Sequence, residues 1–308
     1  MAVLKSGGKP PHSKMTKFRI VLAIVAASAA VTVALLRNPH RSAPHPPGTL
    51  RIVSLAPNVT EILFALDLGD HIVAATDQCN YPPAAKEIER VSGFGTPNVE
   101  KLLALGPDMV IACGLEKPEF TETLRQTGIR VVNVQKTGFT ANFAELFDTV
   151  GEIGESTGRA AEARKLVAGM QAELDAVAAR IGPIDDARRP RVFVEIEASP
   201  LMTAGAGSFL DDLIRRAGGR NVAHEINNAY PRIDPERVIA WNPQWILVAH
   251  NDRAGEAAER LSRRIGWSDV AAVRERRVID DIDADLLFRP GPRLVEGVKA
   301  LAARLHAK

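Results

Sequence analysis

The chain has 308 residues with 39 Lys and Arg against 37 Asp and Glu, and its sequence pI of about 8.6 misleads about the folded part. The first 50 residues carry seven Lys or Arg and no acid, so the remainder holds 32 basic and 37 acidic side chains, a net of −5. A nucleic-acid binder would need a basic face there, and the only dense run, RERR at 274–277, reads as a solvated turn.

Residues 1–48 stand apart from any fold. Lys5, Lys9, Lys14, Lys17 and Arg19 precede an apolar run of 17 residues at 20–36, then the linker NPHRSAPHPPG. That pattern is an export signal or, if uncleaved, a membrane anchor through residues 20–36, and it carries no lipobox cysteine. The expected location of the remainder is the periplasm.

From Arg51 the sequence reads strand, helix, strand, loop. RIVS is a short β-branched run, and Pro57 and Asn58 open a helix through residues 61–68 that Gly69 should stop. An apolar strand at 72–75 and a polar, aromatic and Pro-rich loop at 77–83 follow. NVEKLLALGPDMVIACG, at 98–114, lies over DPERVIAWNPQWILVAH, at 234–250, at one constant offset: Glu100 over Glu236, Lys101 over Arg237, Pro107 over Pro243. Each copy is a short helix with a Glu in its first turn, then a buried strand. Two similar α/β lobes with separate cores are therefore expected, at 49–142 and 189–308.

Between them, residues 143–182 turn to Ala, Glu, Arg and Leu. Leu166, Met170, Leu174, Val177 and Ile181 share one helical face, so one helix over 156–181 would run about 39 Å. Lobe two opens with a strand at 189–196. The segment EASPLMTAGAGSF then leads into a helix at 209–216 that Gly218 and Gly219 end. Gly205 and Gly207 belong to no complete phosphate-binding motif and read as a turn at the mouth of a strand.

Ligands of open α/β sheets bind beyond the carboxyl ends of the strands. That rule collects Pro57, Asn58, residues 77–81 with Gln78 and Tyr81, Phe94, Gly114 and Leu115 from lobe one, and residues 199–208 with Ser199, His250, Asn251 and residues 285–289 from lobe two. Cys79 and Cys113, the only cysteines, end elements of the same lobe and are either a disulfide or two buried thiols. His71, His224, His250 and His306 lack metal-ligand spacing, and no hydrolase, zinc-protease or nucleotide motif is present, so neither a metal site nor an enzyme is expected.

Six ordered pieces, RIVSLAPNVTEILFAL, CNYPP, NVEKLLALGPDMVIA, TAGAGSFLDDLIRRAGGRNVA, DPERVIAWNPQWILVA and FRPGPRLVEGVKALA, resemble the periplasmic substrate-binding proteins of ABC importers. The resemblance is to the group of cobalamin, haem and ferric-siderophore receptors, and CNYPP with DADLLFRPGPRL is most similar to the cobalamin branch. It implies two α/β lobes around a cleft and one long helix that restricts the hinge. It also implies a monomer with no cofactor beyond a transported corrinoid, haem or ferric siderophore. Phe94 takes the position of an aromatic that packs on the corrin, and Gln78 that of a ligand-contacting Tyr. Asp285, Phe288 and Arg289 lie in the contact stretch, and Glu100 and Glu236 stand where a glutamate pair docks on the permease dimer.

Overall fold

The computed structural model describes residues 49–91, 93, 97–134, 142–250 and 255–307. The expected signal or anchor segment, Phe94 and Asn251 lie outside these residues.

Lobe one runs β1 (Ile52–Ser54), α1 (Pro57–Ala65), β2 (Ile72–Ala75), α2 (Val99–Ala104), β3 (Met109–Ala112), α3 (Pro118–Gln126) and β4 (Arg130–Asn133). Its four strands are parallel in the order β2-β1-β3-β4. α1 stops at Ala65, short of the expected Leu68, because Asp67 adopts φ +58°. Two helices follow, α4 (Phe143–Thr157) and α5 (Ala160–Ile181).

Lobe two runs β5 (Arg191–Glu195), a hairpin of β6 (Glu197–Ala198) and β7 (Leu201–Met202), α6 (Phe209–Arg216), β8 (Arg220–Asn221), α7 (Pro235–Trp241) and β9 (Trp245–Val248). It closes with α8 (Ala257–Ser262), α9 (Ala271–Arg274), β10 (Val278–Ile279), α10 (Asp285–Phe288) and α11 (Leu294–Leu305). The parallel sheet order is β10-β9-β5-β8. With the hairpin set aside, both sheets place their strands second, first, third, fourth.

The repeat extends to side chains. The Arg51 guanidinium donates to the Leu105 and Gly106 carbonyls at the end of α2, at 2.7 and 3.2 Å. Arg191 donates to the Trp241 and Asn242 carbonyls at the end of α7, at 3.0 and 2.8 Å. These carbonyl pairs are separated by the same 136 residues as the aligned helices, and Gly106 and Asn242 both take positive φ there. Each arginine thus satisfies helix-end carbonyls and ties a helix to the first strand of its sheet.

Alternation along the strands decides what the sheets bury. Ile52, Met109, Ile111, Val192, Val194 and Leu247 face inward to one apolar cluster that includes residues of α1, α4, α5, α6 and α11. Val53, Val110 and Ala112 face a second cluster within lobe one, and Phe193, Ile246 and Val248 a third within lobe two. The expectation of separate cores is therefore corrected: each lobe has an outer core of its own, but the inner one is shared.

The connector also differs from the expected single helix over 156–181. Gly158, at φ +76°, ends α4, and α5 begins at Ala160 and spans 22 residues, about 33 Å. α4 starts against lobe two, where the Phe143 N–H donates to Asp212 at 3.1 Å, and ends against lobe one, where Arg130 reaches the Ser156 carbonyl at 2.9 Å. α5 then returns to lobe two, Ile181 packing beside Gly218. The two helices meet so tightly that a Cβ at Gly154 would lie 2.4 Å from the Ala163 Cβ and 2.9 Å from the Arg159 carbonyl oxygen.

Gly154→Ala should therefore destabilise by about 2 kcal/mol, although alanine is ordinarily the better helix residue. Gly151→Ala in the same helix, where an added Cβ meets nothing within 4 Å, should be neutral or mildly stabilising in the same urea titration.

Candidate ligand cleft between the lobes

Loops at the carboxyl ends of the two sheets meet in a cluster of polar side chains. Lobe one contributes Asn58 and Glu61 from α1, with Asn80 and Tyr81 from the loop after β2. Lobe two contributes Asp283, Asp285, Arg289 and Arg293 around α10. Arg289 donates to the Asn80 side-chain oxygen at 2.6 Å, pairs with Asp285 at 2.9 Å and lies 3.6 Å from Glu61. Arg293 lies 3.7 Å from Glu61 and 3.8 Å from Asp283, with its guanidinium 3.8 Å from the centre of the Tyr81 ring. This loop closes on α1 at Gly291, where a Cβ would stand 3.4 Å from a Glu61 oxygen and 3.6 Å from the Asn58 Cα, ordinary contact distances.

Several of these groups lie out of water. Glu61 is 4% exposed, and burial pushes its carboxyl from 4.5 up to about 7 against the downward pull of Arg293 and Arg289. The Asn58 amide nitrogen is buried with no hydrogen-bond partner among the described residues. A buried donor in that state is costly, and a ligand acceptor is one way to satisfy it.

A second network shapes the lobe-two wall. Glu195, fully buried at the end of β5, accepts from His250 at 2.9 Å and from Arg260 and Arg264 at 3.0 Å each. Arg264 lies over the Trp267 ring at 4.6 Å. A carboxylate ringed by three donors anchors the end of β9 and α8 to β5.

The sequence-expected residues fall into groups. Asn58, Tyr81, Asp285 and Arg289 come together in the cluster. Gln78 is exposed on the loop that carries Asn80 and Tyr81. Phe288 is half-buried against the shared core, and Ser199 lies exposed at the tip of the β6–β7 hairpin, outside the cluster. Phe94 lies outside the described residues. Cys79 and Cys113 are buried free thiols, so the disulfide alternative is not what the structure holds. The Cys79 sulfur is 3.1 Å from the Thr76 hydroxyl. Burial, with Glu116 beside it, pushes the Cys113 thiol up to about 12. Among the described residues no group of three or more His, Cys, Asp or Glu side chains is arranged to hold a metal.

Asn80 falls in the loop 77–81 that the sequence placed at the cleft, whereas Glu61, Arg293 and Glu195 were not singled out by the sequence reading. A signal existed for two of them. Glu61 interrupts the apolar helix VTEILFAL three residues after Asn58, and Glu195 interrupts the strand RVFVEI. Each is a charge on a face that must be buried, which calls for a specific partner.

Glu61 makes stability depend on pH. A carboxyl raised from 4.5 to about 7 in the folded state binds more protons folded than unfolded between those values. Its contribution is full below pH 4.5 and is lost as pH rises through about 7. The stability of the wild type relative to Glu61→Gln should fall by about 3 kcal/mol between pH 4.5 and 8 in chemical denaturation. A pH-independent difference would contradict the assignment.

Comparison with known proteins fits this architecture. The family described as periplasmic binding protein matches residues 52–284. An uncharacterised ABC transporter substrate-binding lipoprotein of Bacillus subtilis, YvrC, is 31% identical over 257 residues, covering 83% of this chain and 80% of that one. The crystal structure of the periplasmic vitamin B12 binding protein BtuF of Vibrio cholerae superposes with a TM-score of 0.68 at 29% identity, covering 83% and 96% of the two chains. The periplasmic heme-binding protein RhuT of Roseiflexus sp. RS-1 gives 0.70 at 27% identity, covering 84% and 98%. The chain belongs to the periplasmic binding protein family and has its class III fold, two like α/β lobes with parallel sheets.

Proposed function

We propose that this protein captures a corrinoid of the vitamin B12 type outside the cytoplasmic membrane and passes it to the permease dimer of an ABC importer, with no chemistry of its own. The observation that carries the reading is the buried, unpartnered Asn58 amide at the edge of the cross-lobe cluster. A corrinoid is a wide macrocycle fringed by amides that both donate and accept. Asn58 and Arg289 supply donors, Asp285 supplies acceptors, and the exposed Gln78 amide supplies both. Tyr81, with Phe94 and Phe288 as expected partners, offers flat apolar surface for the ring. The relative named vitamin B12-binding protein in Vibrio cholerae, 29% identical over 258 residues, supports the same class of ligand.

Haem, or a ferric siderophore, is the second reading, and Tyr81 with Arg293 favours it: a phenol oxygen can ligate iron, and a guanidinium can pair with a ligand carboxylate. Glu100 and Glu236 are proposed as the permease contacts: both are exposed and neither forms an ion pair among the described residues.

Calorimetry of residues 49–308 against cyanocobalamin, haemin and a ferric-siderophore panel decides between the readings. One-to-one binding of cyanocobalamin at micromolar affinity or tighter, weakened about tenfold or more by Asn58→Ala, is the expected result. Binding of haemin alone, with its absorption band shifted by Tyr81→Phe, would replace the corrinoid reading. Silence from every ligand would overturn both.

A further inference from the structure

Among the described residues four large apolar side chains are notably exposed: Tyr81, Leu103, Leu115 and Ile265. Tyr81 and Leu115 follow strand carboxyl ends on the cleft side. Of the other two, Leu103 lies on the helix that carries Glu100, and Ile265 lies on a turn packed against the helix that carries Glu236. Leu103 is 36% exposed, three residues after Glu100 on α2 and so on the same helical face. Its counterpart in lobe two, 136 residues on, is Ile239, three residues after Glu236 on α7. There the turn after α8 is laid against the helix: a Cβ at Gly266, at φ +75°, would be 2.8 Å from the Ile239 Cδ1. That turn carries Ile265, which is 97% exposed. Both lobes therefore present an exposed aliphatic side chain with the glutamate's helix, Leu103 on α2 itself and Ile265 on the turn that covers Ile239 of α7.

The neighbouring charges are arranged to leave those carboxylates uncompensated. Lys101 pairs with Glu89 at 2.5 Å, and Arg237 with Glu225 at 3.2 Å, both partners again separated by 136 residues. These pairings hold the Glu89 and Glu225 carboxyls below the usual range. Arg263 and Arg264, which precede Ile265, are paired with Glu259 and Glu195. Lys101, Arg237, Arg263 and Arg264 thus each have an acid of their own, while Glu100 and Glu236 form no ion pair among the described residues.

We propose that Leu103 and Ile265 are apolar anchors of the permease-docking surface, inserting beside Glu100 and Glu236 into shallow apolar depressions on the two halves of the permease dimer. This rests on the reading of Glu100 and Glu236 as permease contacts. Two like patches on pseudo-equivalent lobes match a partner built of two like halves, and the free carboxylates match cationic side chains on it.

The test uses Leu103→Ser and Ile265→Ser, singly and together, with the double reversal Glu100→Arg and Glu236→Arg as a separate arm. Binding to the cognate permease dimer in nanodiscs is read by interferometry, ligand affinity by calorimetry, and self-association by sedimentation. Each serine variant should weaken docking roughly tenfold and the pair roughly a hundredfold, with ligand affinity unchanged. Wild-type docking by the serine variants overturns the proposal. In that case loss of docking in the glutamate reversal would leave the reading of Glu100 and Glu236 standing, and its retention would remove that reading too. A wild-type dimer that Ile265→Ser converts to monomer, with docking unchanged, would show a contact between copies of this chain and also overturn it.

Discussion

The shared inner core sets the relation between the two lobes. A class in which two sheets were joined only by extended strands would hinge freely about them. Here the connector is a pair of packed helices, and residues of both contribute to the cluster that receives the inner faces of both sheets. α4 is fastened to lobe two at one end by Asp212 and to lobe one at the other by Arg130. Moving one lobe relative to the other would have to shear a close-packed interior, and such interiors deform poorly. Cleft width is accordingly a property of the packed connector more than of the ligand.

On the cleft side the same relation is held by charge. Glu61, Arg289 and Arg293 are mostly buried between the lobes, and burying them costs solvation that their mutual attraction only partly offsets. The upward push on Glu61 records that imbalance. The network nevertheless arranges the donors and acceptors that face a ligand. Arg289 is held among Asn80, Asp285 and Glu61, so little of its rotamer freedom remains to be lost on binding. Glu100 and Glu236 follow another logic, since both are exposed and the adjacent Lys101 and Arg237 are already paired.

Much of this was legible in the sequence. The repeat placed Met109–Ala112 and Trp245–Val248 in equivalent strands, and the structure gives them the same place in the same strand order. The helix expected at 209–216 has those limits because Ser208 caps it and Gly218 takes the positive φ after it. The hairpin in the connector was harder to see. Gly158 ends α4 inside a stretch whose composition is helical on both sides, and two short residues, Gly154 and Ala163, reveal a helix crossing only once they are known to touch. Arg293 was invisible for another reason: its meaning lies in partners far away in sequence, and an exposed-looking Arg has no local pattern that announces a partner.

A shared inner core requires the lobes to unfold as one unit. All three tryptophans, Trp241, Trp245 and Trp267, lie in lobe two, so their fluorescence reports that lobe alone, whereas far-UV circular dichroism reports the helices of both. The most direct measurement is urea unfolding of residues 49–308 followed by both signals on the same samples. The account predicts superimposable transitions with one midpoint and one slope. A tryptophan transition displaced from the dichroism transition, or a plateau between two steps, would show lobes that fold independently and would contradict it.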